Sequence, residues 1–409
     1  MKYSTIIICL FVALSCSIDG EAIIANDTVD ETTISIQEAT DNLNQFIRSV
    51  YGDTRSSDSL FATSISSTIK VKDLFCETKS IDMNLNPDDP CVYLFNNENH
   101  NGCAVVSANK KIKPDIIAVI EKGYITDDFI VHGESASFSE KNLSVFLKEL
   151  LLNSLSYVSD NTIKQSDEEI NTRSNDTLCV VAPFFPNWWN QWAPFNNYCP
   201  ANCPAGCVAV AASMAVTYLK RNDLPFLLYG RVIDFSEIQD AYKPYNLTYD
   251  YVSYGMRDTI AWIISCIGQS LHTTYSSTGS NSDLVKVANY LDSLGYNASR
   301  KLNFKVSYAT SMLPQGKPIV MTGFSNVFFA NGHSWLVDGI YQYWDMGGSP
   351  KYTLLHCNWG WGGLGNGYYS SNAFTPNSGS IMWSPYNGPA ISPADSLHDH
   401  NYYHRTVVY

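Results

Sequence analysis

The sequence predicts an α+β protein in two modules joined by a polar link, and three observations carry that reading. Residues 91–135 have a strand texture: CVYLF, GCAVVSA and DIIAVI are separated by turn signals such as Asn101-Gly102 and Lys122-Gly123. Apolar residues recur at helical spacing on both sides of this stretch. From about residue 180 the composition changes: all nine Trp lie after residue 187, and Gly and Pro become frequent. At 409 residues the chain is long enough for two or three domains.

In chain order, Lys2, the apolar run Ile6 to Leu14 and the small residues after it read as a signal peptide over residues 1–16. Ala13-Leu14-Ser15-Cys16 resembles a bacterial lipoprotein box, which would place a lipid anchor on Cys16; ordinary cleavage near this point is the alternative. No stretch reaches the roughly 18–20 apolar residues of a membrane span. Ile36, Ala39, Leu43, Phe46, Ile47 and Val50 then form the stripe of one amphipathic helix. Residues 52–70 are Ser/Thr-rich and predict nothing definite. Leu143, Phe146, Leu147, Leu150, Leu151 and Leu155 predict a second helix over 141–158, so 34–158 reads as a small α+β unit. Residues 159–178 are charged on both signs and almost free of apolar side chains, as expected of a linker or processing region. The remainder, 179–409, is the second module.

Composition narrows the function. There are 26 Lys+Arg against 39 Asp+Glu, a net charge of −13, and no basic run, which argues against nucleic-acid binding. Two of the 11 Cys lie in the leader. The odd remainder leaves at least one thiol unpaired in an exported protein.

The chemistry concentrates at Cys207. Val208, Ala211, Ala212, Ala215, Val216 and Leu219 form the inward stripe of a buried helix, with Pro204 and Gly206 at its start. Cys207 falls in the first turn, where free N–H groups and the helix dipole favour a thiolate. Cys199 and Cys203 precede it at a spacing that fits a disulfide better than a zinc site. A thiolate nucleophile needs a base, and His333 and His356 both sit in apolar, strand-like runs. His333 follows Gly332 at the mouth of its strand. Period 2 places His356 and Asn358 on one face, and an Asn can accept the Nδ1–H of a catalytic imidazole. Gln191, upstream of the nucleophile, can join the Cys207 N–H in an oxyanion hole.

The order Gln191, Cys207, His333, Asn358-Trp359 resembles the papain-like cysteine peptidases, and more closely the streptopain family. That family reads W-x-Q-x-x-P-[YF]-N, T-G-C-V-A-T-A, G-G-H-A and H-V-N-W-G-W-G-G; this chain has WNQWAPFN, AGCVAVA, NGHS and HCNWGWGG. Ala205, Asn331 and Cys357 depart from the pattern. The resemblance runs from about Val180 through Ser370. Tyr275 to Ser280 is similar to a family loop that lines the substrate cleft, and Cys103 to Asn109 to a strand of its inhibitory propeptide.

The resemblance implies a papain-like α+β catalytic domain preceded by an inhibitory propeptide domain, the whole made as a zymogen. Cys207 is then the nucleophile and His333 the base. Asn358 orients that base and Trp359 covers the contact, Gln191 serves the oxyanion, and Ser280 and Gly332 meet substrate. No metal and no cofactor is expected. The expected partners are protein or peptide substrates and the chain's own N-terminal unit, at the bacterial cell surface or beyond it. A catalytically silent binding or inhibitor protein, or an amidase or transpeptidase using the same thiolate, is the alternative.

Overall fold

A computed structural model describes residues 32–52, 64–74, 86–97, 102–112, 114–125, 177–185, 187–239, 254–301, 304–323, 333–344, 350–374 and 405–408. The leader with Cys16, the helix expected over 141–158, the linker up to residue 176 and Gly332 lie outside them.

Helix α1 (Ile36–Tyr51) forms where the spacing predicts it. The Ser35 hydroxyl caps it by accepting from the Glu38 N–H at 3.1 Å, and Gly52 closes it at a φ of 70°. Ala39, Leu43, Phe46, Ile47 and Val50 are buried, while Ile36, the first residue of the helix, stays exposed. The strand-like runs become β2 (Pro90–Asn96), β3 (Cys103–Ser107) and β4 (Ile116–Ile120). They are preceded by β1 (Ser64–Lys70) and a single helical turn, α2 (Val71–Leu74). The sequence reading passed over β1. Its alternation of Ile65, Ser67 and Ile69 with exposed residues is the half-buried pattern of an edge strand, hidden among Ser and Thr.

The second module supplies β5 (Thr177–Val181), β8 (Ser299–Lys301), β9 (Ile319–Gly323), β10 (His333–Trp344), β11 (Pro350–Asn358), β12 (Gly367–Ser370) and β13 (Arg405–Val408). A separate hairpin, β6 (Phe226–Leu228) and β7 (Arg231–Ile233), stands apart. Since β5 begins at Thr177 and pairs with β10, the segment read as a linker gives way to strand there, two residues before its expected end at 178.

The two modules share one sheet. Its order is β1-β2-β3-β4-β12-β11-β10-β9-β13-β8, with β5 alongside β10. The join is antiparallel, Gly367 opposite Ile120, Tyr368 opposite Val119 and Tyr369 opposite Ala118. Gly367 belongs there for steric reasons: at its φ of 157°, a Cβ would come within 2.1 Å of the Val119 carbonyl oxygen. The cores are shared as well. Val92, Val105 and Ile117 lie in one apolar cluster with Trp335, Trp359 and Tyr369. Phe46 of α1 reaches across to Tyr341 and Tyr368, at ring distances of 4.7 and 5.3 Å. Burying one such side chain stabilises by roughly 1.5–3 kcal/mol.

A third cluster belongs to the second module alone. At its centre is α3 (Cys207–Leu219), with every residue from Val208 to Tyr218 buried. The sequence suggests one inward stripe; instead the helix is enclosed on all sides. It lies between the β9–β10 face and the helices α4 (Phe235–Gln239), α5 (Tyr254–Ser270) and α6 (Leu284–Ser293). Small Ala and Val side chains permit this close approach. The Ser213 hydroxyl is satisfied inside the helix by the Ala209 carbonyl at 2.7 Å. A last short helix, α7 (Val306–Met312), leads into β9.

Candidate active site

The first helical residue of α3 is Cys207, preceded by Gly206 at a φ of 89°. That glycine is required twice over. Its backbone is left-handed, and a Cβ there would meet the Ser280 carbonyl oxygen at 2.8 Å. Ser280 is therefore packed against the residue before the nucleophile. Its loop is pinned by paired main-chain hydrogen bonds between Thr274 and Asn281. Gln191 is tied to the same place: the Ala205 N–H donates to its carbonyl at 2.8 Å, and its side chain is partly exposed. Three residues predicted from separate stretches thus converge on the start of α3.

The polar hydrogens of Ser334, Val208 and Cys207 itself favour the Cys207 thiolate. Burial nevertheless pushes the thiol above its ordinary range, outweighing these donors. The thiol is protonated at neutral pH, contrary to the expectation from the helix dipole.

His333 opens β10. Its Nε2 meets the main-chain carbonyl of Trp359 at 2.9 Å, and its ring lies 4.3 Å from that of Trp361. Burial lowers it to about 4, only partly opposed by the Trp359 carbonyl, so the imidazole is neutral. With the proton on Nε2 donated to Trp359, Nδ1 is the basic nitrogen. The sequence reading assigned the orienting contact to the Asn358 side chain acting on Nδ1–H. Here the acceptor is the next residue's carbonyl and the nitrogen is Nε2. Asn358 is committed elsewhere: its amide donates to the Phe185 and Asn187 carbonyls at 3.2 and 2.8 Å, and its oxygen accepts from the Gly360 N–H at 3.3 Å.

Trp359 is fully buried, its indole N–H on the Gly365 carbonyl at 2.8 Å and its main-chain N–H on the Asn366 side chain at 3.0 Å. The Trp361 ring lies closer to His333 than that of Trp359, whose ring centre is 6.2 Å away. The Gly-rich turn lets this loop fold tightly onto the Trp188-Trp189 segment of the same module: Gly362 N–H reaches the Trp189 carbonyl, and a Cβ on Gly363 would strike the Trp188 ring.

A second buried histidine lies one strand away. The pairing of β10 with β11 slips between Val337 and Gly339, leaving Asp338 in a bulge. From there its carboxylate meets His356 Nδ1 at 2.5 Å and accepts the Phe185 N–H at 2.9 Å. Glu121 of the first module approaches His356 Nε2 at 3.6 Å and is itself held by the Tyr51 hydroxyl at 2.8 Å. Burial alone would lower His356, but Asp338 and then Glu121 outweigh it and hold it up at about 10. Asp338, Trp361 and Asn366 are residues that the sequence reading did not single out; the strand motif and the Gly-Trp-Gly-Gly run contained the first two.

Cys199 and Cys203 are free thiols, so the bridge considered from their spacing is not formed. Burial pushes Cys199 up to about 11, only partly opposed by the nearby Tyr275 hydroxyl.

Residues 189–369 match the model of the Peptidase C10 family. Among solved structures, the chain is similar to a mutated fragment of prointerpain A from Prevotella intermedia. The identity is 18% and the TM-score 0.49, over 78% of this chain and 94% of that one. It is also similar to active interpain A cysteine protease from the same organism, at 22% identity and a TM-score of 0.36, over 46% of this chain and 85% of that one. No curated protein matches the chain.

Proposed function

We propose, from the premise that residues 189–369 are a Peptidase C10 cysteine-peptidase region, that this chain is an exported cysteine endopeptidase made as a zymogen. The observation that supports the reading is a buried thiol at the head of α3 together with a neutral imidazole at the head of β10 whose Nε2–H is fixed on the Trp359 carbonyl. A neutral imidazole with Nδ1 unprotonated is ready to take a proton.

His333 takes the Cys207 proton as the sulfur attacks the peptide carbonyl. The same imidazolium then protonates the departing amine, and water hydrolyses the acyl-enzyme with His333 again as base. The Gln191 amide and the Cys207 N–H stabilise the oxyanion. Ser280 and Gly332 are the residues that meet substrate in this reading. The Trp359 carbonyl orients the base, while Asn358 braces the loop that carries this carbonyl. Trp359 and Trp361 keep water from the contact. No metal or cofactor takes part.

Residues 34–158 serve as the propeptide, and maturation cuts in the linker. Because β5 is part of the sheet, the cut falls before Thr177. The leader supports export, with Cys16 as the anchor at the bacterial surface. The test follows peptide hydrolysis and new N-termini in wild type and Cys207→Ala side by side. Wild type should hydrolyse peptides and Cys207→Ala should lose all measurable activity; a Cys207→Ala chain that keeps substantial activity refutes the assignment. An uncut Cys207→Ala precursor shows self-processing, and the same cut in both assigns it to another protease.

A further inference from the structure

We infer that Lys122 of the first module is a positioning residue for His333: it fastens the loop 359–366, which joins β11 to β12 and carries the carbonyl that holds the imidazole. The inference rests on the peptidase reading above and gives the first module a part in the working site, which its role as a propeptide does not include.

The placement follows from where β4 ends. Beyond Ile120 the chain runs on beside the stretch that leads into β12. There the Glu121 N–H donates to the Asn366 carbonyl at 2.7 Å, and the Gly365 N–H donates to the Lys122 carbonyl at 2.8 Å. The Glu121 side chain goes to His356, and that of Lys122 goes to the loop. The Lys122 ammonium donates to the Gly362 carbonyl at 3.2 Å and lies 4.9 Å from the centre of the Trp188 ring. A cation over an indole face is attracted by the ring. The same Gly362 donates its N–H to the Trp189 carbonyl at 2.8 Å. Lys122 therefore stands where the loop that holds the base meets the segment that runs on to Gln191.

A loop with glycine at 360, 362, 363 and 365 has many conformations to lose, so hydrogen bonds must set its shape. The Asn366 side chain accepts the Trp359 N–H at 3.0 Å, and the Gly365 carbonyl accepts the Trp359 indole N–H at 2.8 Å. Gly365 and Asn366 are the two residues that the first module's main chain holds. The line of contacts thus runs from residues 121–122 through Gly365 and Asn366 to Trp359, and from its carbonyl to His333 Nε2 at 2.9 Å. Trp361, whose ring lies 4.3 Å from that of His333, belongs to the same loop. A shift of the loop moves both the carbonyl and the ring against the imidazole. The main-chain bonds of Glu121 and Lys122 survive substitution; the Lys122 ammonium on Gly362 is the part that a variant removes.

The experiment uses the full-length chain with Lys122→Ala, Lys122→Met and Lys122→Arg. Met keeps an apolar stem beside the Trp188 ring and removes the donor, while Arg keeps both a donor and a cation. Nitrogen NMR of the histidine side chains at neutral pH, in the Cys207→Ala background, reads the tautomer of His333, whose signal is the one lost in His333→Gln. The parent should show the Nε2–H form alone, with slow proton exchange. Lys122→Ala and Lys122→Met should add the Nδ1–H form and speed the exchange, and Lys122→Arg should restore the parent signal. Peptide hydrolysis is recorded in parallel with Cys207 intact. There kcat should fall by about tenfold in the Ala and Met variants with KM little changed, because a displaced base costs rate rather than binding. An unchanged His333 signal in both variants, or an unchanged kcat in an active enzyme, overturns the inference even if the melting temperature falls. An altered signal with no peptide hydrolysis by wild type would leave the inference standing and remove the peptidase reading instead.

Discussion

His333 and His356 are both buried, they lie on adjacent strands, and they are held in opposite protonation states. His333 is set among the rings of Trp335, Trp359 and Trp361, with its Nε2 on the Trp359 carbonyl. Burial there outweighs the Trp359 carbonyl and lowers it to about 4. His356 is buried even more completely, yet Asp338 and Glu121 stand on its two nitrogens and raise it to about 10. Burial alone therefore does not decide what a histidine can do. An aromatic wall with a neutral carbonyl acceptor gives a base; a pair of carboxylates gives a fixed cation that holds strands together.

The sharpest way to break this comparison is to remove each ring in turn. His333→Ala should lower kcat/KM by several orders of magnitude, on the scale of losing a member of a catalytic unit, and should add little to Cys207→Ala. His356→Ala should leave Asp338 buried without its partner and cost about 3–5 kcal/mol of stability. Steady-state kinetics on the fraction that remains folded, with denaturant titration alongside, separates the two. A His356→Ala enzyme that folds normally but is inactive would reverse the roles.

The two histidines should also divide the pH range. The folded value of His333 is depressed, so its contribution is present above the ordinary imidazole value of 6.5 and is lost as pH falls through about 4. The folded value of His356 is raised, so its contribution is complete below 6.5 and is lost as pH rises through about 10. Each limb should slope by at most about 1.4 kcal/mol per pH unit. Urea titrations from pH 4 to 10 should show both, and His333→Gln should flatten the acid limb alone. An unchanged acid limb would mean that His333 is already charged in the fold.

The smallest effect comes from the far side of the cation. Glu121→Gln removes one of two carboxylates while leaving Asp338 in place, and Tyr51→Phe removes only the hydroxyl that steadies Glu121. The first should cost about 1.5–3 kcal/mol and the second about 1 kcal/mol. Thermal melting reads both. No loss in Tyr51→Phe would show that Tyr51 acts through packing on Tyr368, whose ring lies 6.5 Å away, and not through Glu121.

How far the sequence foretold this depends on whether a signal is local. The helix at 36–51, the strands around 91–120 and the head of α3 were legible because periodicity and a glycine before the cysteine are short-range patterns. Gln191, Cys207 and Ser280 come together as their motifs imply. The choice of Trp359's carbonyl over Asn358's side chain was not legible, since a main-chain acceptor leaves no mark in residue identity. Nor was Asp338's role, which depends on a bulge created by pairing with another strand. The shared sheet was hidden for the same reason: Gly367 is one glycine among 24, and only its opposition to Val119 and Ile120 gives it meaning.

That join also bears on the order of events as the chain is made. Ile120 pairs with Gly367, so the first module's outer strand must wait for nearly the whole second module before its open side is covered. Pairings between such distant segments are the slow ones, because the intervening chain must be gathered before any bond rewards it. Until then β4 presents unpaired main-chain groups, a template for the wrong partner. A cut in the linker made during this interval would release a fragment with a bare edge. The same cut made afterwards removes only the covalent tether, because the three residue pairs and the aromatic contacts of Phe46 remain. Timing, as much as the position of the cut, then determines whether cleavage yields two separate pieces or one nicked body.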